Sequence, residues 1–255
     1  MNFEKTGKQF AIIKNKKDKK NNKIIYNEYD DKNIKSYFNE LHLTDPDEYF
    51  ELYPDTKGNR RVSYCCGQSG AGKSYWARQY LENYHHLYPK NKIYMFSAIT
   101  EDETLDKLKY IKRIKLDDKF LNFNISDVKL FEDTLTIFDD CDTITNKYIH
   151  DKVYSVLNLL LETGRHVNAS VIYTNHLCTD GRTTRRILSE CHSITYFPQV
   201  LGGRSKKYLL MDYLGLSKEE MKKLKNIKSR AITICKLYPK ICLAEKDIFI
   251  LKSED

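Results

Sequence analysis

The chain has no apolar run near the roughly 18 residues that a bilayer span needs, and its opening residues, MNFEKTGKQF, lack the apolar core of a signal peptide. These two absences predict a soluble, intracellular protein with no membrane span. Its 7 cysteines are odd in number and include no C-x-x-C pair, a usage that fits a reducing compartment better than a disulfide framework. Adjacent Cys65 and Cys66 read as small strand residues. Internal repeats and long linkers are also absent. At 255 residues and 30.1 kDa the chain can bury one large core or two small ones, and one main domain with small additions is expected.

The net charge of +8 permits a nucleic-acid partner without demanding one. Its distribution says more: residues 1–60 carry +1, residues 61–199 carry +1 and residues 200–255 carry +6. The surplus is C-terminal and includes Lys206, Lys207, Lys222, Lys223, Lys225, Lys228 and Arg230. Near the other end, the lysine-rich run KNKKDKKNNK reads first as a solvated loop between two possible strands, Phe10 to Ile13 and Ile24 to Tyr29.

The run Gly67-Gln68-Ser69-Gly70-Ala71-Gly72-Lys73-Ser74 matches G-x-x-x-x-G-K-S/T in full, and it follows an apolar stretch, Val62 to Cys66, that reads as a strand. It is a Walker A loop. Gly70 and Gly72 let the backbone coil so that successive N–H groups point at a phosphate chain. Lys73 supplies a mobile cation for the β- and γ-phosphates and Ser74 a hydroxyl for Mg²⁺, with Tyr75 following at the edge of the nucleotide site. Trp76, Ala77, Tyr80, Leu81, Tyr84 and Tyr88 then recur at helical spacing until Pro89, so ATP phosphates would sit on a helix N-terminus.

Beyond that helix, Ile93 to Ser97 reads as a strand, a helix is predicted from about Glu101, and Ile111 to Leu116 reads as another strand. LTIFDD is an apolar strand ending in two carboxylates, the form of a Walker B motif. Asp139 would hold Mg²⁺ through its water shell, because a hard divalent ion bound to phosphates wants oxygen ligands; Asp140 would orient the attacking water. Ile149, Val153, Val156, Leu157, Leu160 and Leu161 resume helical spacing up to Gly164, expected as the C-terminal cap. Strands over Val167 to Thr174 and Ile194 to Phe197 flank a helix over Thr183 to Cys191. Ser217 and Glu220 form a capping box, and two β-rich runs around Tyr238-Pro239 predict a closing hairpin.

This alternation predicts an α/β P-loop NTPase of the ASCE, RecA-like kind: a mostly parallel sheet with helices on both faces, a small N-terminal β-rich extension and a C-terminal hairpin. Residues 1–58 are expected as the extension, 59–200 as the ATPase core, and 201–255 as a basic helix and hairpin packed on it. Between Lys73 and Asp139 there is room for one or two complete strand–helix units, which favours the branch whose Walker B strand is not the neighbour of the P-loop strand. No N-K-x-D motif is present, since Asn146-Lys147 is followed by Tyr148-Ile149, and a GTPase switch is disfavoured. In the motor branch a polar residue ends the intervening strand and senses the γ-phosphate; Asn175, with an amide that both donates and accepts, is the first choice and His176 the second. Arg165, in Thr163-Gly164-Arg165-His166, is a candidate to enter a neighbour's site as an arginine finger, with Arg182, Arg185 and Arg186 as rivals.

GQSGAGKS, LTIFDD, the ETGRH segment followed by SVIYTNH, and HSITYFP occur in an order that resembles the viral genome-packaging ATPases of the FtsK–HerA superfamily, the poxvirus-type enzymes of large DNA viruses and virophages. The resemblance covers about residues 60–200. It implies ATP-driven translocation of double-stranded DNA into a capsid by a homo-oligomeric ring, with capsid or portal partners, in the virion and the virus factory of the host cytoplasm. It assigns phosphate binding to Gly67 through Ser74, Mg²⁺ to Asp139, water activation to Asp140, sensing to Asn175 or His176 and a trans finger to Arg165. The chain departs from the family in having Asp140 where Glu is frequent and Asn175-His176 where Gln is frequent.

Two alternatives remain open on sequence. A nucleoside or nucleotide kinase also uses a P-loop and would need an arginine-rich lid, for which Gly181-Arg182-Thr183-Thr184-Arg185-Arg186 is the candidate. A nucleotide-dependent assembly scaffold would bind ATP without using the chemistry of Asp140.

Overall fold

The structure is a computed structural model that describes residues 1–18, 20–28, 37–178 and 181–251, without the side chains of residues 181–183. The chain forms two compact units, residues 57–191 and residues 1–56 together with 192–255.

The second of these begins with strands β1 (Lys8–Asn15), β2 (Lys23–Asn27), β3 (Glu40–His42) and β4 (Glu48–Leu52). The expected hairpin forms: Ile12 stands opposite Ile24, and β4 pairs antiparallel on the other side of β1, with Ile13 opposite Phe50. Tyr29, the predicted end of that hairpin, lies outside the described residues. Lys14 in β1 lies 2.7 Å from Glu51, and Lys17 in the lysine-rich loop lies 2.5 Å from Asp47.

The unit of residues 57–191 holds β5 (Val62–Cys66), α1 (Lys73–Leu87), β6 (Ile93–Ser97), β7 (Ile111–Arg113), α2 (Asp118–Asn122), β8 (Leu135–Asp139), α3 (Lys147–Thr163), β9 (Ser170–Asn175) and α4 (Gly181–Glu190). Its strands are all parallel in the order β5-β9-β8-β6-β7. Every residue of β5, β8 and β9 is buried, as expected of parallel strands whose helical crossovers cover both faces. The sensor strand β9 thus lies between the P-loop strand and the Walker B strand, as the spacing of the motifs predicted. The N-terminus of α3 is capped by the Asn146 side chain, which accepts from Tyr148 and Ile149 N–H at 3.0 and 3.3 Å.

Two local expectations are corrected. No helix follows Glu101: Asp102 Oδ1 accepts from the Thr104 and Leu105 N–H groups at 2.8 and 2.7 Å, and Asp106 accepts from Asp102 N at 2.7 Å and from Arg113 at 2.7 Å. Side chains competing for backbone donors hold a run of turns there. The strand predicted to reach Leu116 stops at Arg113. Gly164 caps the C-terminus of α3 as expected, in a right-handed conformation, φ −57°, and the chain continues through a 3₁₀ turn to Asn168, φ 54°. A Cβ on Gly164 would sit in van der Waals contact, 3.4 Å from Ala169 and from the Arg60 guanidinium. Arg60 spends its donors on the Ala169, Leu160 and Leu161 carbonyls, which clamps the entry to β9.

The chain then returns to the first-described unit with β10 (Ser193–Tyr196), α5 (Gly203–Lys207) leading into a π-helical turn over Tyr208–Tyr213, α6 (Lys218–Lys225), β11 (Ile232–Cys235), β12 (Ile241–Leu243) and β13 (Asp247–Ile250). The capping box starts α6 as predicted, with Ser217 and Glu220 bonding reciprocally at 2.8 and 3.2 Å. The predicted closing hairpin is one part of an antiparallel run β10-β11-β12-β13-β3. N- and C-terminal segments therefore share one core, in which Phe10, Ile13, Ile25 and Phe50 pack with Ile241, Leu243 and Ile248. Among the described residues no helix is long and apolar enough to cross a membrane.

Candidate nucleotide-binding site

The register of the parallel strands brings the chemistry to one edge. Ser97 stands opposite Asp139, Asp139 opposite Thr174, and Cys66 opposite Asn175, so the C-terminal ends of β5, β6, β8 and β9 are level. The P-loop leaves β5 at this edge and delivers Lys73 as the first residue of α1. Gly70 and Gly72 take φ values of 75° and 118°, conformations that side chains rarely adopt, and a Cβ on Gly70 would meet nothing within 4 Å. Gln68, Ser69 and Gly70 are exposed, Ser74 is half-buried and Tyr75 is exposed.

Lys73 is buried, donates to the Gly67 carbonyl at 3.0 Å and lies 3.4 Å from Asp140 Oδ1. Walker A and Walker B residues are thereby brought face to face. Asp139 is 1 % exposed; Thr174 Oγ1 donates to its Oδ1 at 2.7 Å and Ser97 Oγ lies 3.5 Å from its Oδ2. Burial pushes its carboxyl up to about 6, with the Asp140 charge adding to the rise and the Thr174 hydrogen bond opposing it.

Asp140 has the left-handed φ of 47°, unusual for a residue other than glycine. Its backbone N–H donates to Thr174 Oγ1 at 3.2 Å and its carbonyl accepts from Thr143 Oγ1 at 2.9 Å. The turn aims one carboxylate oxygen at Lys73 and the other at His176 Nε2, 3.4 Å away. His176 Nδ1 in turn lies 3.6 Å from Asp142 Oδ2. Burial raises the Asp142 carboxyl above its ordinary value while the imidazole pulls it down.

Of the two sensor candidates, Asn175 is fully buried, its amide donating to Tyr173 at 3.4 Å and accepting from Leu177 N at 3.3 Å; His176 faces Asp140. Arg165 is exposed in the turn that precedes β9. At about 3.3 Å per residue, the six residues of β9 separate it from the P-loop edge of its own unit by roughly 17 Å. Arg186 lies 3.0 Å from Glu162, Arg185 is exposed, and the side chain of Arg182 lies outside the described residues. Sequence reasoning missed Ser97, Thr174 and Asp142. The first two carry a readable signal, a hydroxyl at the end of an otherwise apolar strand, whereas Asp142 looks like any acid in a turn.

The fit to Mg²⁺ and a nucleotide rests on these features: a glycine cradle open where a side chain would intrude, a lysine resting on a carboxylate, and a buried carboxyl that is costly to ionise without a cation. Fold and site together define the class: a P-loop NTPase with the ASCE, RecA-like strand order.

No family model matches the chain. It is 43% identical over 200 residues to the uncharacterized protein V3 of Sputnik virophage, a match covering 77% of this chain and 79% of that protein, and it belongs to that protein's family. Among solved structures it is similar to the genome packaging NTPase B204 from Sulfolobus turreted icosahedral virus 2 in complex with ATP-gammaS, at 16% identity, a TM-score of 0.50, and coverage of 76% of this chain and 98% of that one. The cytoplasmic domain of the type VII secretion ATPase EccC of Thermomonospora curvata has a TM-score of 0.50 at 9% identity, over 72% of this chain and 25% of that one. These structural likenesses are of fold, and they bear out the expected P-loop NTPase fold.

Proposed function

We propose that this chain is an ATP-hydrolysing motor that translocates double-stranded DNA into a viral capsid. The observation that carries the reading is the placement of Lys73 between Gly67 and Asp140 beside the buried Asp139. Lys73 binds the β- and γ-phosphates, the P-loop backbone cradles them, and Tyr75 borders the bound nucleotide. Ser74 and Asp139 hold Mg²⁺, which when bound neutralises phosphate charge. Moving Lys73 from Asp140 onto phosphate frees that carboxylate to orient the attacking water and take its proton. His176, which already faces Asp140, is favoured as the γ-phosphate sensor, with Asn175 shaping the strand end behind it. The exposed position of Arg165, distant from its own P-loop, suits a finger that completes the site of the next subunit in a ring.

In this reading residues 59–200 carry the chemistry, and 1–58 and 201–255 are additions to it. Part of the DNA track would come from exposed Lys207, Lys222, Lys225 and Lys228, whereas Lys206 donates to the Pro198 carbonyl and Lys223 lies 2.9 Å from Glu40. Contacts of this kind grip phosphate without reading bases. Capsid or portal components are the further partners, and the virion and virus factory the place of action. The test is hydrolysis with and without duplex DNA over a salt series, together with Asp140→Asn. A motor is stimulated by DNA at low salt, loses DNA as salt rises, and in Asp140→Asn binds ATP but stalls; unstimulated hydrolysis with salt-independent binding overturns the reading.

A further inference from the structure

His176 is held between two carboxylates that lie on the same side of the sheet edge. Its Nε2 faces Asp140 Oδ2 at 3.4 Å and its Nδ1 faces Asp142 Oδ2 at 3.6 Å. The three side chains are 28%, 18% and 16% exposed, in the order His176, Asp140, Asp142. Asp142 sits in the 3₁₀ turn Cys141–Thr143 directly after β8. The left-handed Asp140 backbone, fixed by Thr174 and Thr143, folds the turn so that residues 140 and 142 flank one imidazole. A ring so placed cannot spin to present either edge at random.

We propose that Asp142 is a positioning residue that acts through His176: its carboxylate holds the Nδ1 edge of the imidazole, so that Nε2 is presented to Asp140 and to the γ-phosphate side of the site. The inference rests on the ATPase reading above for its catalytic consequence, though not for its geometry. When Lys73 leaves Asp140 for phosphate, the His176 imidazole still faces Asp140 at 3.4 Å, and Asp142 keeps it in place. Asp142 touches neither nucleotide nor the reacting water in this scheme, so its removal acts on turnover and leaves nucleotide affinity alone. Where a carboxylate fixes the far edge of a metal-ligating histidine, losing it costs about 10- to 100-fold, and a fall of that size is expected here.

The experiment is a double-mutant cycle on the full chain with Asp142→Asn, His176→Ala and the pair, read as kcat and KM for ATP, with Asp142→Glu as the charge-conserving control and denaturant stability measured throughout. The expected result is a 10- to 100-fold fall in kcat for Asp142→Asn at unchanged KM, partial recovery in Asp142→Glu, and no additional loss when Asp142→Asn is placed on His176→Ala. Independent multiplication of the two effects, or a change confined to KM or to stability, overturns the proposal. The ¹⁵N resonances of the His176 ring in nucleotide-free protein supply a readout that needs no hydrolysis: Asp142→Asn shifts Nδ1 if Asp142 holds that edge, and an unchanged spectrum refutes it. If the native chain proves inactive while this shift is seen, the ATPase reading has failed and the positioning contact stands.

Discussion

Thr174 Oγ1 donates a 2.7 Å hydrogen bond to Asp139 Oδ1 and accepts one from the Asp140 N–H at 3.2 Å. One buried hydroxyl therefore orients both acids of the Walker B pair from the neighbouring strand. Thr174→Val keeps the shape and removes both bonds. The expected loss is about 1–3 kcal/mol of stability, because a buried carboxylate oxygen and a backbone donor lose a partner, and hydrolysis falls with it. Urea unfolding and steady-state turnover check the two effects; a neutral Thr174→Val would show that β9 does not orient the pair.

Asp139 is a buried carboxyl whose folded value, about 6, lies above its ordinary 3.8. The native state thus binds a proton more readily than the unfolded chain, so this group's contribution to stability is present at low pH and is lost as pH rises from about 4 to about 6. Asp139→Asn lacks that loss. Without nucleotide it is expected to be more stable than the parent at pH 7 by about 3 kcal/mol, with the difference vanishing near pH 4. The same variant forfeits the stabilisation that Mg²⁺ and ATP give the parent. Thermal unfolding across pH, with and without Mg²⁺-ATP, measures both.

Lys73→Ala removes the cation that rests on Gly67 and Asp140. Nucleotide affinity falls and hydrolysis drops by about a hundredfold or more. Binding of a fluorescent ATP analogue and phosphate release separate the two losses, and wild-type turnover in this variant would remove Lys73 from the site.

Arg165→Ala leaves ATP binding unchanged and lowers turnover of the assembled protein by about 10³-fold. Because the arginine is expected to act on a neighbour, mixing Arg165→Ala with Lys73→Ala subunits restores part of the activity. Two inactive variants that stay inactive when mixed would assign Arg165 to the surface.

The P-loop, the strand–helix alternation and the acidic strand end were legible because each is local. Eight consecutive residues state the phosphate cradle, and buried parallel strands read as apolar runs. The Ser217–Glu220 capping box was legible for the same reason, since both partners lie within one turn. The turns after Glu101 were misread because Asp102 and Asp106 compete with the backbone for donors, which periodicity does not register. The shared core of the two chain ends was illegible: Phe10 and Ile241 join one core only once strands distant in sequence have assembled.

By itself, the sequence determined which chemistry the chain carries, because a glycine cradle, a lysine and an acidic pair have meaning in residue type and spacing alone. Tertiary structure decided which groups share a carboxylate: the level ends of β8 and β9 place Thr174 on Asp139, and the left-handed turn at Asp140 sets His176 between Asp140 and Asp142. The physical reason is range. Backbone propensity acts over a few residues, whereas hydrogen bonds and ion pairs between strands depend on a register that only the assembled sheet fixes.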